Sequence, residues 1–336
     1  GIEQLAFPYP DYRTGQRETA ELVYKCIATG GRALLEAPTG IGKTAAVLYP
    51  ALKALASGKH DAVVYVTSRT VGRRVAEETL EKFSESGLAL KSLSLTAKET
   101  VCFSPGKACH GQDCPYAEGY YDRLPAVRHA AMSATALRRA EIEALAREYQ
   151  VCPYQLASDL VPWVEVVIGD IHYVYSFFAS LAAQLTDRGY RWSVQLDEAH
   201  NLPDRARDMY SADLSKRRLM AARKASDGPV KRALDSCNRS LLELQKSDWD
   251  EPHYHLAAEP PSRLESGLQR FVGAVSEQLG QHADYLLRRP ALMDFYFEVL
   301  QFLRVLEVAG EDFCFEQERS AAPQSLRLRL NCLEPA

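Results

Sequence analysis

Two short stretches of this sequence carry residue types whose spacing can do chemistry. The first is Ala37-Pro38-Thr39-Gly40-Ile41-Gly42-Lys43-Thr44. Its glycines let the main chain approach a ligand closely, and the amides opening a following helix point at an anion. Lys43 is placed to neutralise the β- and γ-phosphates of a nucleotide and the Thr44 hydroxyl to hold Mg²⁺. Thr39, Gly40, Ile41, Gly42, Lys43 and Thr44 therefore read as a phosphate cradle for ATP. Its first position is Ala37, where the strict pattern has glycine. The second stretch, Asp197-Glu198-Ala199-His200, follows about 150 residues later. There Asp197 can hold Mg²⁺ through water, Glu198 can orient and deprotonate an attacking water, and His200 can couple the nucleotide to another domain. The chemistry is transfer of a phosphoryl group to water, with Lys43, Asp197, Glu198 and His200 as its catalytic candidates.

A third group is made of thiols. Four of the eight cysteines, Cys102, Cys109, Cys114 and Cys152, fall in one stretch. Cys114 and Cys152 each precede proline, a pairing found among iron–sulfur ligands. Structural zinc sites use paired tight knuckles, and only Cys109–Cys114 approaches one. Four thiolates spread in this way suit the separated corners of a cubane, with zinc and unliganded thiols as the alternatives. The remaining cysteines are scattered and read as core filling.

These groups need a frame to hold them. Apolar runs at Ala33–Ala37, Ala62–Thr67, Leu90–Leu95, Val164–Gly169 and Trp192–Leu196 alternate with helical patterns. That alternation predicts an α/β fold, a parallel sheet covered by helices on both faces. The phosphate cradle would follow the first strand and the acidic pair would end the last one, facing one crevice. From 99 to 160 the pattern breaks into a small insert, with one helical face at Ile142, Leu145, Ala146 and Tyr149. From 203 to 321 the sequence reads as mostly helical, with helices at Leu214–Ala225, Val230–Lys246, Leu264–His282 and Leu292–Ala309 and a linker at Asp248–Pro261. Ser325–Leu333 returns to alternation, as a further strand of the first sheet. The domains expected are thus 1–98 with 161–202 and 322–336, then 99–160, then 203–321.

Apolar residues make up 46% of the 336 residues and the net charge is −4, which excludes a bulk polycation. No apolar run approaches the roughly 18 residues of a membrane span. No signal peptide leads the chain, so the expected compartment is the cytosol. Gly1 in place of an initiator suggests a piece of a longer protein. A translocated strand would need backbone-neutralising charge and flat groups for bases to stack on. Candidates are Arg69, Arg73, Arg74, Arg123, Arg128, Tyr120, Tyr121, Tyr154, Trp163 and Tyr173. The dense run Lys216-Arg217-Arg218 with Arg223-Lys224 reads as a solvated helix face.

Taken together, these motifs resemble those of the XPD/DinG-like group of superfamily-two DNA helicases. Phe7-Pro8-Tyr9 with Arg13 and Gln16 resembles that group's opening nucleotide-binding motif, and Ala37–Thr44 its phosphate loop. Thr67-Ser68-Arg69-Thr70 resembles a segment that contacts the DNA backbone, here followed by Gly72, Arg73 and Arg74 rather than the usual Gln. Val167–Tyr173 resembles the segment preceding the DEAH box, with His172 where Asn is more usual. The resemblance implies a RecA-like motor domain, a 4Fe–4S cluster on Cys102, Cys109, Cys114 and Cys152, and a helical Arch insert. It also implies ATP-driven 5′-to-3′ movement on single-stranded DNA or a single-/double-strand junction. In that family a second motor domain lies in the same chain, and without one this chain would hydrolyse little ATP. A DNA-dependent ATPase switch or remodelling subunit, and an iron–sulfur electron-transfer ATPase, are the alternative readings.

Overall fold

The computed structural model describes residues 5–38, 40–85, 90–177, 179–247, 249, 251, 253–282, 284–320 and 325–335. Thr39, one of the cradle residues, lies outside them. The chain divides into two units, Gly1–His200 and Asn201–Ala336.

The first unit is built on β1 (Ala62–Val66), β2 (Ser92–Ser94), β3 (Ala136–Leu137), β4 (Val166–Gly169) and β5 (Trp192–Leu196). All their pairings are parallel, in the order β3-β2-β4-β1-β5. Every residue of β1 and β4 is buried, as expected of continuous β-branched runs covered on both faces. The register sets Val66 of β1 opposite both Gly169 and Leu196. Thr67, Asp170 and Asp197 therefore leave the sheet side by side at one edge. Around the sheet lie α1 (Gln16–Thr29), α2 (Lys43–Ala56), α3 (Thr70–Glu85), α4 (Lys98–Val101), α5 (Tyr120–Ala131), α6 (Arg139–Glu148), α7 (Pro153–Leu160), α8 (His172–Tyr175) and α9 (Ser180–Asp187). Leu48 and Leu52 of α2, Leu80 and Phe83 of α3, Val63 and Tyr65 of β1 and Ile168 of β4 share one core.

Two expectations for this unit change. Ala33–Ala37 forms no strand, and Leu34 is 89% exposed. Ala-Leu-Leu-Glu-Ala contains no β-branched or aromatic residue, so its strand preference is weak. The segment 99–160 is also not separate from the sheet. It contributes β3, whose Leu137 pairs with Leu93 of β2 and is buried.

The second unit contains α10 (Leu202–Met209), α11 (Lys216–Lys224), α12 (Gly228–Lys246), α13 (Ser262–Gln281) and α14 (Pro290–Val308). The helices of 214–309 match expectation closely. Phe271 of α13 and Phe295 of α14 meet in their core with ring centroids 5.6 Å apart, near buried Leu234 and Leu268. The unit also holds an antiparallel sheet that was not expected, made of β6 (Ala212–Ser215), β7 (Tyr254–Ala257), β8 (Phe313–Glu318) and β9 (Arg327–Cys332) in the order β6-β9-β8-β7. Ser325–Leu333 thus belongs here and not to the first sheet. Its pattern gives the reason: Leu328, Leu330 and Cys332 are buried while Arg327 is exposed. Such alternation marks an antiparallel strand with one open face. The linker Asp248–Pro261 likewise contains β7.

Candidate active site

The cradle is a left-handed turn leading into α2. Gly40 and Gly42 have φ of 91° and 80°, a conformation open to glycine at little cost. A Cβ on Gly42 would lie 2.7 Å from Gln16 Nε2, so a side chain there would displace the Gln16 amide from the turn. Arg13 and Gln16 clasp this turn. The Arg13 guanidinium donates to Gly40 O, Gln16 Nε2 donates to Gly42 O at 3.2 Å, and Arg13 N donates to Gln16 Oε1 at 3.0 Å. Lys43 Nζ spans the loop to Ala37 O at 3.2 Å. Phe7 stacks on Tyr12 at 4.1 Å and meets Tyr49 of α2 edge-on at 5.4 Å, which ties the opening motif to the helix behind the cradle.

Cradle and acidic pair meet through Tyr65, a residue that the sequence reading did not single out. It is 1% exposed, and its hydroxyl lies within electrostatic reach of both Thr44 and Asp197. Burial first, then the Asp197 carboxylate, push the phenol far above its usual range. It therefore keeps its proton, facing the Asp197 carboxylate as a neutral phenol. A buried tyrosine in an apolar strand needs a partner for its hydroxyl, and that requirement was a readable signal. Asp197 N donates to Val66 O at 2.9 Å, continuing the sheet up to the acidic residue. A Cβ on Gly72 would lie 2.5 Å from Thr67 Oγ1 and 2.9 Å from Asp197 Oδ2, so the first turn of α3 closes against the same carboxylate.

Glu198 has φ 55°, a left-handed backbone that costs a non-glycine residue about 1–2 kcal/mol. Such strain is characteristic of functional turns. His200 Nδ1 is 3.4 Å from Glu198 Oε2, so DEAH residues hold one another at this edge.

Among the nucleic-acid candidates, Arg73, Tyr154 and Tyr173 gather near the same strand ends. Arg73 Nη1 donates to Thr96 Oγ1 at 3.3 Å. Tyr173 is pushed up to about 12, first by burial and then by Tyr154. Asp170 Oδ1 accepts from the His172 backbone and lies 2.5 Å from its Nδ1. Arg69 is exposed, and Arg74 pairs with Glu78 at 3.5 Å. Arg128 is elsewhere, packed on Trp163. Tyr120 is buried and donates to Asp159 at 2.7 Å, so it is no stacking platform. The basic run of α11 is largely satisfied within its own unit. Lys216 is buried on Gln245, Arg218 pairs with Glu298 at 2.9 Å, and Arg223 pairs with Asp235.

The four clustered cysteines lie within electrostatic reach of one another. Burial raises the Cys152 thiol, opposed by the backbone N–H groups of Gln155 and Tyr154, with Cys109 and Cys114 adding to the rise. Lys98 is raised first by its hydrogen bond to Cys109, with Cys102 also contributing. Among the described residues, no three His, Cys, Asp or Glu side chains gather as they would around a single ion.

Comparison with known proteins follows the same lines. The DEAD/DEAH box helicase family model matches residues 13–102 and the DEAD_2 model residues 84–219. The XPD helicase subunit of the general transcription and DNA repair factor IIH of Schizosaccharomyces pombe is 24% identical over 290 residues, 73% of this chain and 35% of that protein. A probable ATP-dependent helicase of Methanocaldococcus jannaschii is 33% identical over 32% of this chain and 16% of its own length. A Gallus gallus homologue of the Fanconi anemia group J protein is 26% identical over 40% of this chain and 11% of its own. The chain thus spans about a third of the first of these relatives and less of the others. In fold it resembles an XPD helicase structure, with a TM-score of 0.57 at 16% identity over 96% of this chain and 55% of that one. A truncated XPD gives 0.56 at 17% identity, over 94% of this chain and 86% of that one. The two family models in succession, the relatives and the parallel sheet agree: the chain carries DEAD/DEAH box and DEAD_2 helicase sequence and is similar to the XPD helicases.

Proposed function

We propose that the crevice binds Mg-ATP and that hydrolysis there drives 5′-to-3′ movement on single-stranded DNA, opening duplexes at single-/double-strand junctions. The observation that carries the nucleotide part is the buried Tyr65, whose hydroxyl is reached by Thr44 at the cradle and by Asp197 of the acidic pair. In this reading Lys43 neutralises phosphate charge, Thr44 and Asp197 hold magnesium, and Arg13 and Gln16 fix the cradle. Glu198 orients the attacking water and takes its proton, with His200 steadying its carboxylate. The Arg73–Tyr154–Tyr173 group, with Arg69 beside it, offers guanidinium charge and ring faces to the strand.

The cysteine segment fits a 4Fe–4S cluster by its donor set. Cys102, Cys109, Cys114 and Cys152 would hold it, and when bound it supplies a covalent cross-link and an electron-accepting centre. Lys98 lies within electrostatic reach of Cys109 and Cys102, and the first turn of α7 turns amides toward Cys152.

The test is equilibrium binding of a fluorescent ATP analogue with Mg²⁺ and of labelled single-stranded DNA, RNA and duplex. Saturable Mg-dependent nucleotide binding and preference for single-stranded DNA are expected. Nucleotide binding indifferent to Lys43→Ala would refute the crevice assignment. ATP turnover stimulated by DNA without strand displacement would instead favour the switch or remodelling reading.

A further inference from the structure

The end of the first sheet opposite the nucleotide crevice carries a cleft of about 380 Å³. Trp163 precedes β4, and Arg188 and Tyr190 precede β5. The cleft thus lies at the N-terminal ends of strands whose C-terminal ends hold Asp170 and Asp197. The five residues of β1 separate the two ends by roughly 15 Å. Trp163 is 47% exposed, and the Arg128 guanidinium carbon lies 4.6 Å from its ring centroid. Arg188 and Tyr190 complete a wall with Asp159. The Asp159 carboxylate is already engaged, accepting from Tyr120 at 2.7 Å and from Gln155 at 3.2 Å.

We propose that this cleft is a second nucleic-acid subsite, which takes one unpaired base with its phosphate outside the nucleotide crevice. An exposed indole backed by a guanidinium is a stacking platform for a planar base. Arg128 and Arg188 supply two cationic groups where the single carboxylate is spoken for, which suits a phosphate. The volume falls at the small end of the range of about 300–1,000 Å³ for small-ligand sites, the scale of one nucleotide. The inference rests on the single-strand reading above and adds a contact point at the far end of the sheet. A strand reaching both ends would be held at two places.

The test measures the affinity of oligo(dT) for the wild type, Trp163→Leu, Trp163→Phe and Arg188→Glu, with the fluorescent ATP analogue as a control for folding. Trp163→Leu should weaken the oligonucleotide about tenfold, consistent with loss of one base stack, and Trp163→Phe should restore most of it. Arg188→Glu should weaken it and flatten its salt dependence. Nucleotide affinity at the crevice should not change. An oligonucleotide carrying 5-iododeoxyuridine should crosslink to the peptide containing Trp163. Wild-type oligonucleotide affinity retained in Trp163→Leu, with crosslinks only elsewhere, would overturn the subsite and leave the helicase reading intact. Fluorescence quenching of Trp163 by free thymidine monophosphate, with no oligonucleotide crosslink there, would also overturn it. Absence of oligonucleotide binding by the wild type would overturn both.

Discussion

The nucleotide crevice and the cysteine segment each gather residues far apart in sequence, but the fold holds them by different means. The crevice is an extension of the core. Tyr65, Val66 and Thr67 are buried in or beside the central strand, and backbone bonds carry that order out to Asp197. The cysteine segment has little core of its own. Cys109 is exposed, Cys102 and Cys152 are half-buried, and turns rather than strands carry the stretch from Ser104 to Gly119. The first region is preorganised by packing. In the second, ligation would supply the order that burial does not.

That contrast can be broken by experiment, and the largest effect belongs to the cysteines. Cys114→Ser should abolish bound iron and open residues 102–119 to trypsin, while nucleotide affinity stays near the wild type. Iron analysis and limited proteolysis read it directly, and an unchanged digest would place the order of the segment in its protein contacts. Next, Lys43→Ala should lower Mg-nucleotide affinity more than tenfold, as loss of a charge-assisted phosphate contact does, with the melting temperature unchanged. A matching fall in stability would mean that the crevice is less preorganised than the buried sheet implies.

Tyr65→Phe comes third. Removing a buried hydroxyl beside Thr44 and Asp197 should cost about 1 kcal/mol of stability and weaken Mg-nucleotide binding by a smaller factor than Lys43→Ala. Denaturant melts would register the first and titration the second. The smallest effect is one of pH. His60 is buried, with Nε2 2.9 Å from Ala51 O, and burial holds it below its ordinary value despite that bond. The unfolded chain therefore takes up a proton that the folded sheet resists. Stability is fully present above about pH 6.5 and falls as pH drops from there toward the folded value. His60→Gln should flatten that slope, and a slope unchanged in the variant would assign it to another group.

The crevice was more legible in the sequence than the frame that surrounds it. β1 and β4 announce themselves as continuous apolar runs, β5 is an apolar run interrupted by Ser193 and Gln195, and the acid pair follows β5 where expected. Ala33–Ala37 failed because apolar character without β-branching does not specify a strand. Ser325–Leu333 reads as a strand from sequence, and its Leu/Arg alternation is what separates it from the buried parallel runs and places it in the antiparallel sheet. β7 was hidden in a polar linker, since its four residues depend on pairing with β8 more than on their own pattern. Tyr65 was missed because an apolar run draws attention to burial and not to the one hydroxyl inside it. Arg13 and Gln16 were found by resemblance, and the structure adds that both hold the loop backbone.

The most direct test is a double-mutant cycle between Thr44→Ala and Asp197→Ala, read as affinity for the Mg-bound ATP analogue. If both residues serve one magnesium-bound triphosphate, the two losses will fall short of additivity by at least about 1 kcal/mol, because either change alone already disables the shared site. Losses that simply add would mean that the cradle and the acidic pair act on separate ligands.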